Sequence, residues 1–394
     1  MSKKNSTPSR PRFWFDSKLV TFITLLLTSL LLLVLHSRSK PPQSTTIVVD
    51  HRLFDGHFEG PPKIAFLFLV RKERSPRFHL ALLLQGLAKW VTQFSLMLMS
   101  LQNAPVSEFS IYAHSRPGFA LNGSTTRSAF FQDRQLKNSV EVAWGEACMI
   151  EAERLLLGAS LDDPANQRFV LLSDSCVPLY NFSYIYNYLM SSPRSFVDSF
   201  HDVKEVRYNP KMSPVIPEDK WRKGSQWITL IRKHAEVIVD DDIVFPVFKK
   251  FCQWRPVTDL SKGQRSSEHQ LEPNCIPDEH YVPTLLMMKG LQNELERRTL
   301  TYSLWSQSAD KTNPKAWHPS TFNYANSSPQ HIQVIKDINH VNYESENRTE
   351  LCRVNSTASP CFLFARKFSR GAALRLLTDG VVGPYDRNAM TAST

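Results

Sequence analysis

An α/β fold with a mostly parallel, doubly wound sheet is what this sequence predicts, and three observations carry the prediction. Apolar runs of strand length recur, the first being "KIAFLFLV" at 63–70, which is continuous rather than alternating and therefore suits a strand covered on both faces. Segments with helical spacing alternate with these runs, as in parallel strands joined by crossover helices. The chain has 394 residues, 42% hydrophobic and 21% charged, which are globular values with enough length for a large core.

The elements follow in order. "FSIYAH" (109–114) reads as a second strand and "VEVAWG" (140–145) as a third. "EACMIEAERLLLGA" (146–159) has helical spacing and a glycine near its end. "RFVLLSDS" (168–175) is a fourth strand that finishes in polar residues, and "NFSYIYNYLM" (181–190) a helix. "SQWITLIR" (225–232) reads as a strand and "KHAEVIVDD" (233–241) as a helix; the acidic run Asp240-Asp241-Asp242 at its end reads as a solvated cluster. Ligands of such sheets bind beyond the carboxyl ends of the strands. That directs attention to His114-Ser115-Arg116, Ser173-Asp174-Ser175 and the loop around Lys223-Gly224-Ser225. The sequence has neither a G-x-G-x-x-G dinucleotide fingerprint nor a P-loop.

Ahead of this body lies Leu19 to Leu35, 17 residues without a charge, which just reaches the length needed to span a bilayer. Lys3, Lys4, Arg10, Arg12 and Lys18 precede it, against Arg38 and Lys40 behind, so the positive-inside rule keeps the N-terminus cytosolic. No small-x-small cleavage site follows, which favours an uncleaved signal anchor over a signal peptide. The short span suits a thin Golgi-type membrane. The predicted organisation is a cytosolic tail (1–18), a transmembrane anchor (19–35), a Pro- and Ser-rich stem (36–62) and a luminal domain (63–394).

The net charge of +10 is concentrated in the first 40 residues, which carry seven Lys or Arg against Asp16 alone, leaving +4 for the rest. The basic pI is therefore a property of the anchor flank, and no nucleic-acid partner is expected. Six cysteines fall on the luminal side, where disulfides form. None has C-x-x-C spacing; Cys352 and Cys361 can close a local loop, and Cys275 is a further candidate partner. Sequons at Asn122, Asn181, Asn326, Asn347 and Asn355 fit a secretory-pathway protein.

Three motifs carry chemistry, each beside a plainer reading. Asp174 ends an apolar strand where a sugar nucleotide would sit, or it caps the next turn. A metal-dependent transferase would want a second acid beside it, D-x-D, and here Ser and Cys follow. In "WRKGSQWITLIRKHAEVI" (221–238), Ser225 and Trp227 either face a sugar ring or form a turn with a buried tryptophan. In "PDEHYVPTLL" (277–286), a carboxylate at a helix start can serve as general base, or the three polar residues are a wet turn. His269 and His280 lack zinc-site spacing, and no metal is expected.

Taken in order, "KIAFLFLVR" (63–71), "VLLSDSCVPLYNF" (170–182), "KGSQWITLIRKHA" (223–235) and "PDEHYVPTLL" (277–286), with "ERRTLTYSLWS" (296–306) and "CFLFARKF" (361–368), resemble the Core-2/I-branching N-acetylglucosaminyltransferase and xylosyltransferase superfamily, specifically its plant branch, glycosyltransferase family 14-like. The resemblance covers most of 63–377. It implies a GT-A type fold and an inverting, metal-independent transfer from a UDP-sugar to a glycan hydroxyl, with no cofactor besides that co-substrate. It implies a Golgi type II membrane protein. Glu279 carries over as general base and Lys367 as the cation beside the departing diphosphate, with Asp174 near the nucleotide. Trp305 carries over as a sugar-stacking surface. The arginine that accompanies the lysine in the animal enzymes has no clear counterpart; Arg353 and Arg366 are the candidates. The segment 84–102, "LQGLAKWVTQFSLMLMSLQ", is unlike the family pattern. With the missing arginine it motivates the competing reading, a catalytically degenerate luminal glycan-binding or scaffold protein of the same fold.

Overall fold

The structure, a computed structural model, describes residues 58–70, 104–122, 131–203, 206–254, 272–305 and 318–379. The tail, the anchor, nearly all of the stem and most of segment 84–102 lie outside the described residues. Among the described residues no helix is long and apolar enough to cross a membrane.

The central sheet grows from β1 (Lys63–Leu69), buried from Ile64 onward as its unbroken apolar sequence requires. Strand β2 (Phe109–His114) pairs parallel to it on one side and β3 (Asn166–Ser173) parallel on the other, with Ile64–Leu69 in register with Phe109–His114. Between β2 and β3 runs helix α1 (Cys148–Leu161), whose Ile150, Leu156 and Leu157 join the core under the sheet. Past β3 the sheet turns mixed: β6 (Thr229–Ile231) is antiparallel to β3, β5 (Ser195–Phe196) antiparallel to β6, and β7 (Leu295–Glu296) parallel to β5. The order is β2-β1-β3-β6-β5-β7. The chain leaves β1 toward one edge and β3 toward the other, so the carboxyl ends of these neighbours flank the switch in strand order, the place where ligands enter sheets of this kind.

A second, small sheet carries the chain's later motifs. In it β13 (Phe364–Arg366) lies between β4 (Val177–Pro178) and β8 (Thr301–Ser303). Helices α6 (Pro329–Lys336) and α7 (Arg370–Thr378) pack on it around Phe322, Ile332, Ala365 and Phe368. The remaining helices are α2 (Phe182–Met190), capped by the Asn181 side chain, α3 (Arg232–Val239), α4 (Val244–Phe251) and α5 (Pro277–Met288).

Three expectations are corrected. "VEVAWG" forms no strand, because the outer edge of β2 is already occupied: Ala113 donates to the Arg134 carbonyl and accepts from Leu136. "SQWITLIR" is strand only at Thr229–Ile231, its first half being held by other partners described below. The acidic run is not all solvated. Asp241 is buried, receives the backbone N–H groups of Val244 and Phe245 at the start of α4, and accepts from the Tyr281 hydroxyl at 2.9 Å. Disulfides join Cys352 to Cys361 and Cys252 to Cys275; Cys148 and Cys176 are free thiols.

Candidate active site

Helix α5 opens at Pro277, whose missing N–H costs nothing at a first helical position, and its first turn holds Asp278 and Glu279, where the helix dipole favours negative charge. The Glu279 side chain is 23% exposed. Its Oε2 lies 3.6 Å from Arg207 Nη1 and 3.9 Å from Lys223 Nζ. Burial raises its pKa above the ordinary glutamate value; Lys223 opposes that, Asp278 adds to it, and His280 and Arg207 oppose it. A carboxylate raised by burial yet reachable from solvent is what a general base needs: proton affinity together with access.

Its neighbours are buried and partnered. The His280 ring stacks on Trp221 at 4.7 Å between centroids, its Nδ1 lies 2.8 Å from the Ile276 carbonyl, and its Nε2 lies 3.5 Å from Asp202 Oδ2. Asp278 faces inward, toward α1, where the buried Glu153 accepts from Gln226 Nε2 at 2.9 Å. Burial, and then the Asp278 charge, push the Glu153 pKa well up. Asp278 and His280 therefore support the helix start, and Glu279 is the member of the three that reaches outward.

The 223–227 segment joins this carboxylate to a second cluster. The Gly224 N–H donates to the Glu279 carbonyl at 2.8 Å, and Lys223 exchanges backbone hydrogen bonds with Phe200. Ser225 Oγ accepts the Trp227 N–H at 3.2 Å, so it shapes the turn. Trp227 is 4% exposed with the Arg366 guanidinium 4.2 Å above its ring, which is the buried-tryptophan alternative rather than the open sugar platform. Of the two tryptophans proposed for sugar contact, only Trp305, 51% exposed just after β8, offers a free face.

Arg366 ends β13 and Lys367 follows it, half-buried. The Lys367 carbonyl accepts from Phe322, and Phe368 donates to the Ser175 carbonyl at 3.0 Å, so this corner is tied to the turn after β3. There the Cys176 thiol sits 3.3 Å from Ser173 Oγ. Burial raises its pKa, Arg366 pulls it down and Asp174 pushes it up, which places Asp174, Cys176 and Arg366 in one electrostatic neighbourhood at the end of β3. Arg353, the other arginine candidate, is exposed on a separate hairpin, β11 (Arg353–Val354) with β12 (Thr357–Ala358), and contributes its carbonyl to Arg298.

Sequence reading missed Arg207, Asp202, Asp198 and Glu153, which lie in no recognisable spacing and meet the site only through tertiary contacts. Asp198 is the least expected. Burial raises its pKa to about 7 against the pull of Arg297, Arg348 and Lys223. Among the described residues no group of three His, Cys, Asp or Glu side chains is arranged to hold a metal ion. Of the sequon asparagines, Asn122, Asn181, Asn347 and Asn355 are exposed and Asn326 is half-buried.

Comparison with known proteins bears on the family. The family model for Core-2/I-Branching enzyme matches residues 86–336, a stretch that begins within segment 84–102 and includes Asp174, Lys223 and Glu279. Glycosyltransferase BC10 of Oryza sativa subsp. japonica is 53% identical over 286 residues, 72% of this chain and 72% of its own.

Proposed function

Since the chain belongs to the Core-2/I-branching enzyme family and is a glycosyltransferase, we propose that it moves a sugar from a UDP-sugar to a glycan hydroxyl with inversion and without a metal. The observation that carries this reading is the placement of Glu279: a carboxylate at a helix start, raised by burial, partly open, and flanked by Arg207 and Lys223.

Glu279 takes the proton of the acceptor hydroxyl as that oxygen attacks the anomeric carbon. The new C–O bond forms on the face opposite the phosphate, the bond from the anomeric carbon to the diphosphate oxygen breaks, and UDP leaves with the electron pair. Arg366 and Lys367 lie in the segment that Phe368 ties to the turn after β3, and their cationic side chains offset the charge that develops on the leaving group. Trp305 gives the acceptor or donor sugar an apolar face. The donor is N-acetylglucosaminyl, pentosyl or glucuronosyl UDP, and the protein works as a single-pass type II protein of the Golgi membrane. The glycosyltransferase relative supports the enzyme over the scaffold reading.

The test is a donor screen with the purified full-length protein, with and without EDTA, beside Glu279→Gln. Transfer that survives EDTA and falls by about a thousandfold in Glu279→Gln is expected. Metal dependence, or equal activity of the two proteins, overturns the mechanism.

A further inference from the structure

The chain enters helix α2 through a sequon, Asn181-Phe182-Ser183, whose two reacting positions face outward. Asn181 and Ser183 are exposed, and Phe182 between them is buried in the core. The Asn181 side chain caps the helix with its oxygen alone: Oδ1 accepts the Tyr184 N–H at 2.9 Å, while Nδ2 makes no hydrogen bond to any described residue. N-glycosylation substitutes Nδ2 and keeps the carbonyl, so cap and glycan are compatible. Asn326 shows the contrast. It is half-buried, and the hydroxyl residue of its sequon, Ser328, caps α6 and lies 2.8 Å from His331 Nδ1.

A pair of aromatic rings borders the Asn181 amide. Tyr184 occupies the helix position whose side chain turns back toward the cap, and Tyr180 directly precedes Asn181. Their rings stack at 4.5 Å between centroids with 27° between planes. Tyr180 is half-buried with Lys336 Nζ 4.9 Å from its ring, whereas Tyr184 is 38% exposed.

We propose that Asn181 carries an N-linked glycan and that its first N-acetylglucosamine packs on the Tyr184 ring, holding the start of α2. The inference rests on the luminal placement of the domain. A sequon-reading transferase of the secretory pathway joins Nδ2 to the anomeric carbon of the first sugar of a lipid-diphosphate-linked oligosaccharide. The bond from that carbon to the diphosphate oxygen breaks, the lipid diphosphate leaves with the electron pair, and Nδ2 gives up one of its two hydrogens as a proton. The pyranose then lays its C–H face on a ring that otherwise meets water, a contact of dispersion type.

The experiment expresses the full chain in a eukaryotic cell as wild type, Ser183→Ala, Ser183→Thr, Tyr184→Ala and the Ser183→Ala/Tyr184→Ala pair. Ser183→Ala removes the sequon and leaves the Asn181 cap; Ser183→Thr keeps both. Peptide mass spectrometry is expected to find N-acetylglucosamine on Asn181 in wild type and Ser183→Thr, and none in Ser183→Ala. The thermal midpoint of Ser183→Ala is expected about 2 °C below wild type, with no further drop when Ser183→Ala is added to Tyr184→Ala. Bare Asn181 beside glycans on other sequons overturns the site. A midpoint that does not fall in Ser183→Ala, or falls as far without Tyr184 as with it, overturns the packing. No glycan on any luminal sequon sinks the luminal placement instead.

Discussion

The Gly224 N–H donates to the carbonyl of Glu279 at 2.8 Å, and a Cβ at position 224 would stand 1.9 Å from the Asp198 carbonyl oxygen. Backbone from three distant parts of the chain thus meets at one residue without a side chain, just behind the carboxylate read as the base. That approach is the reason for glycine here, since no left-handed backbone angle is involved.

Gly224→Ala is expected to force the 223–227 segment off Asp198. Overpacking of this kind costs about 1–3 kcal/mol. Urea denaturation should show a lower midpoint, and transfer should fall further than stability does because Lys223 and the start of α5 shift together. An unchanged midpoint would mean that the segment moves freely.

Asp198 makes stability depend on pH. In the folded protein it keeps its proton up to about pH 7, while in the unfolded chain it loses it near the ordinary aspartate value of about 3.9. The folded state then binds more protons across that window, so this group's contribution is fully present below about pH 4 and is lost as pH rises toward 7. Asp198→Asn removes the slope. The prediction is that the variant gains on wild type in urea midpoint between pH 4.5 and pH 8, and a constant difference between the two proteins would refute it.

The Cys252–Cys275 disulfide ties the end of α4 to the irregular segment that leads into α5, across 23 residues. By chain entropy a loop of that length is worth about 3 kcal/mol. The Cys252→Ala/Cys275→Ala pair should lose that much by urea denaturation and should also lose kcat, because the Ile276 and Pro277 entry to the base is no longer anchored. Full kcat in the destabilised variant would separate the brace from the site.

Lys367→Met removes the ammonium at the corner after β13 and keeps its apolar stem. A fall in kcat of about a hundredfold with acceptor KM within twofold is expected from loss of one charge stabiliser at a leaving group. A change confined to acceptor KM would move Lys367 out of that role.

Local sequence determined a good deal. The continuous apolar runs of β1 and β3, the helical spacing of α1 and the Pro277 start of α5 are properties of neighbouring residues, so they are legible without the fold. The family resemblance singled out Glu279, which local pattern left as one of three polar residues in a turn. Tertiary structure decided what those residues face. "VEVAWG" has a strand's composition but loses its place because Arg134–Leu136 already takes the β2 edge, a competition that propensity cannot register. Trp227 became a buried ring under Arg366, and Asp241 a buried acceptor for the Tyr281 hydroxyl, because partners far along the chain reach them. Arg207 and Lys223 flank Glu279, and Asp202 faces its neighbour His280, from 77 to 56 positions before Glu279. Their charges act through distance in space, for which linear spacing carries no signal.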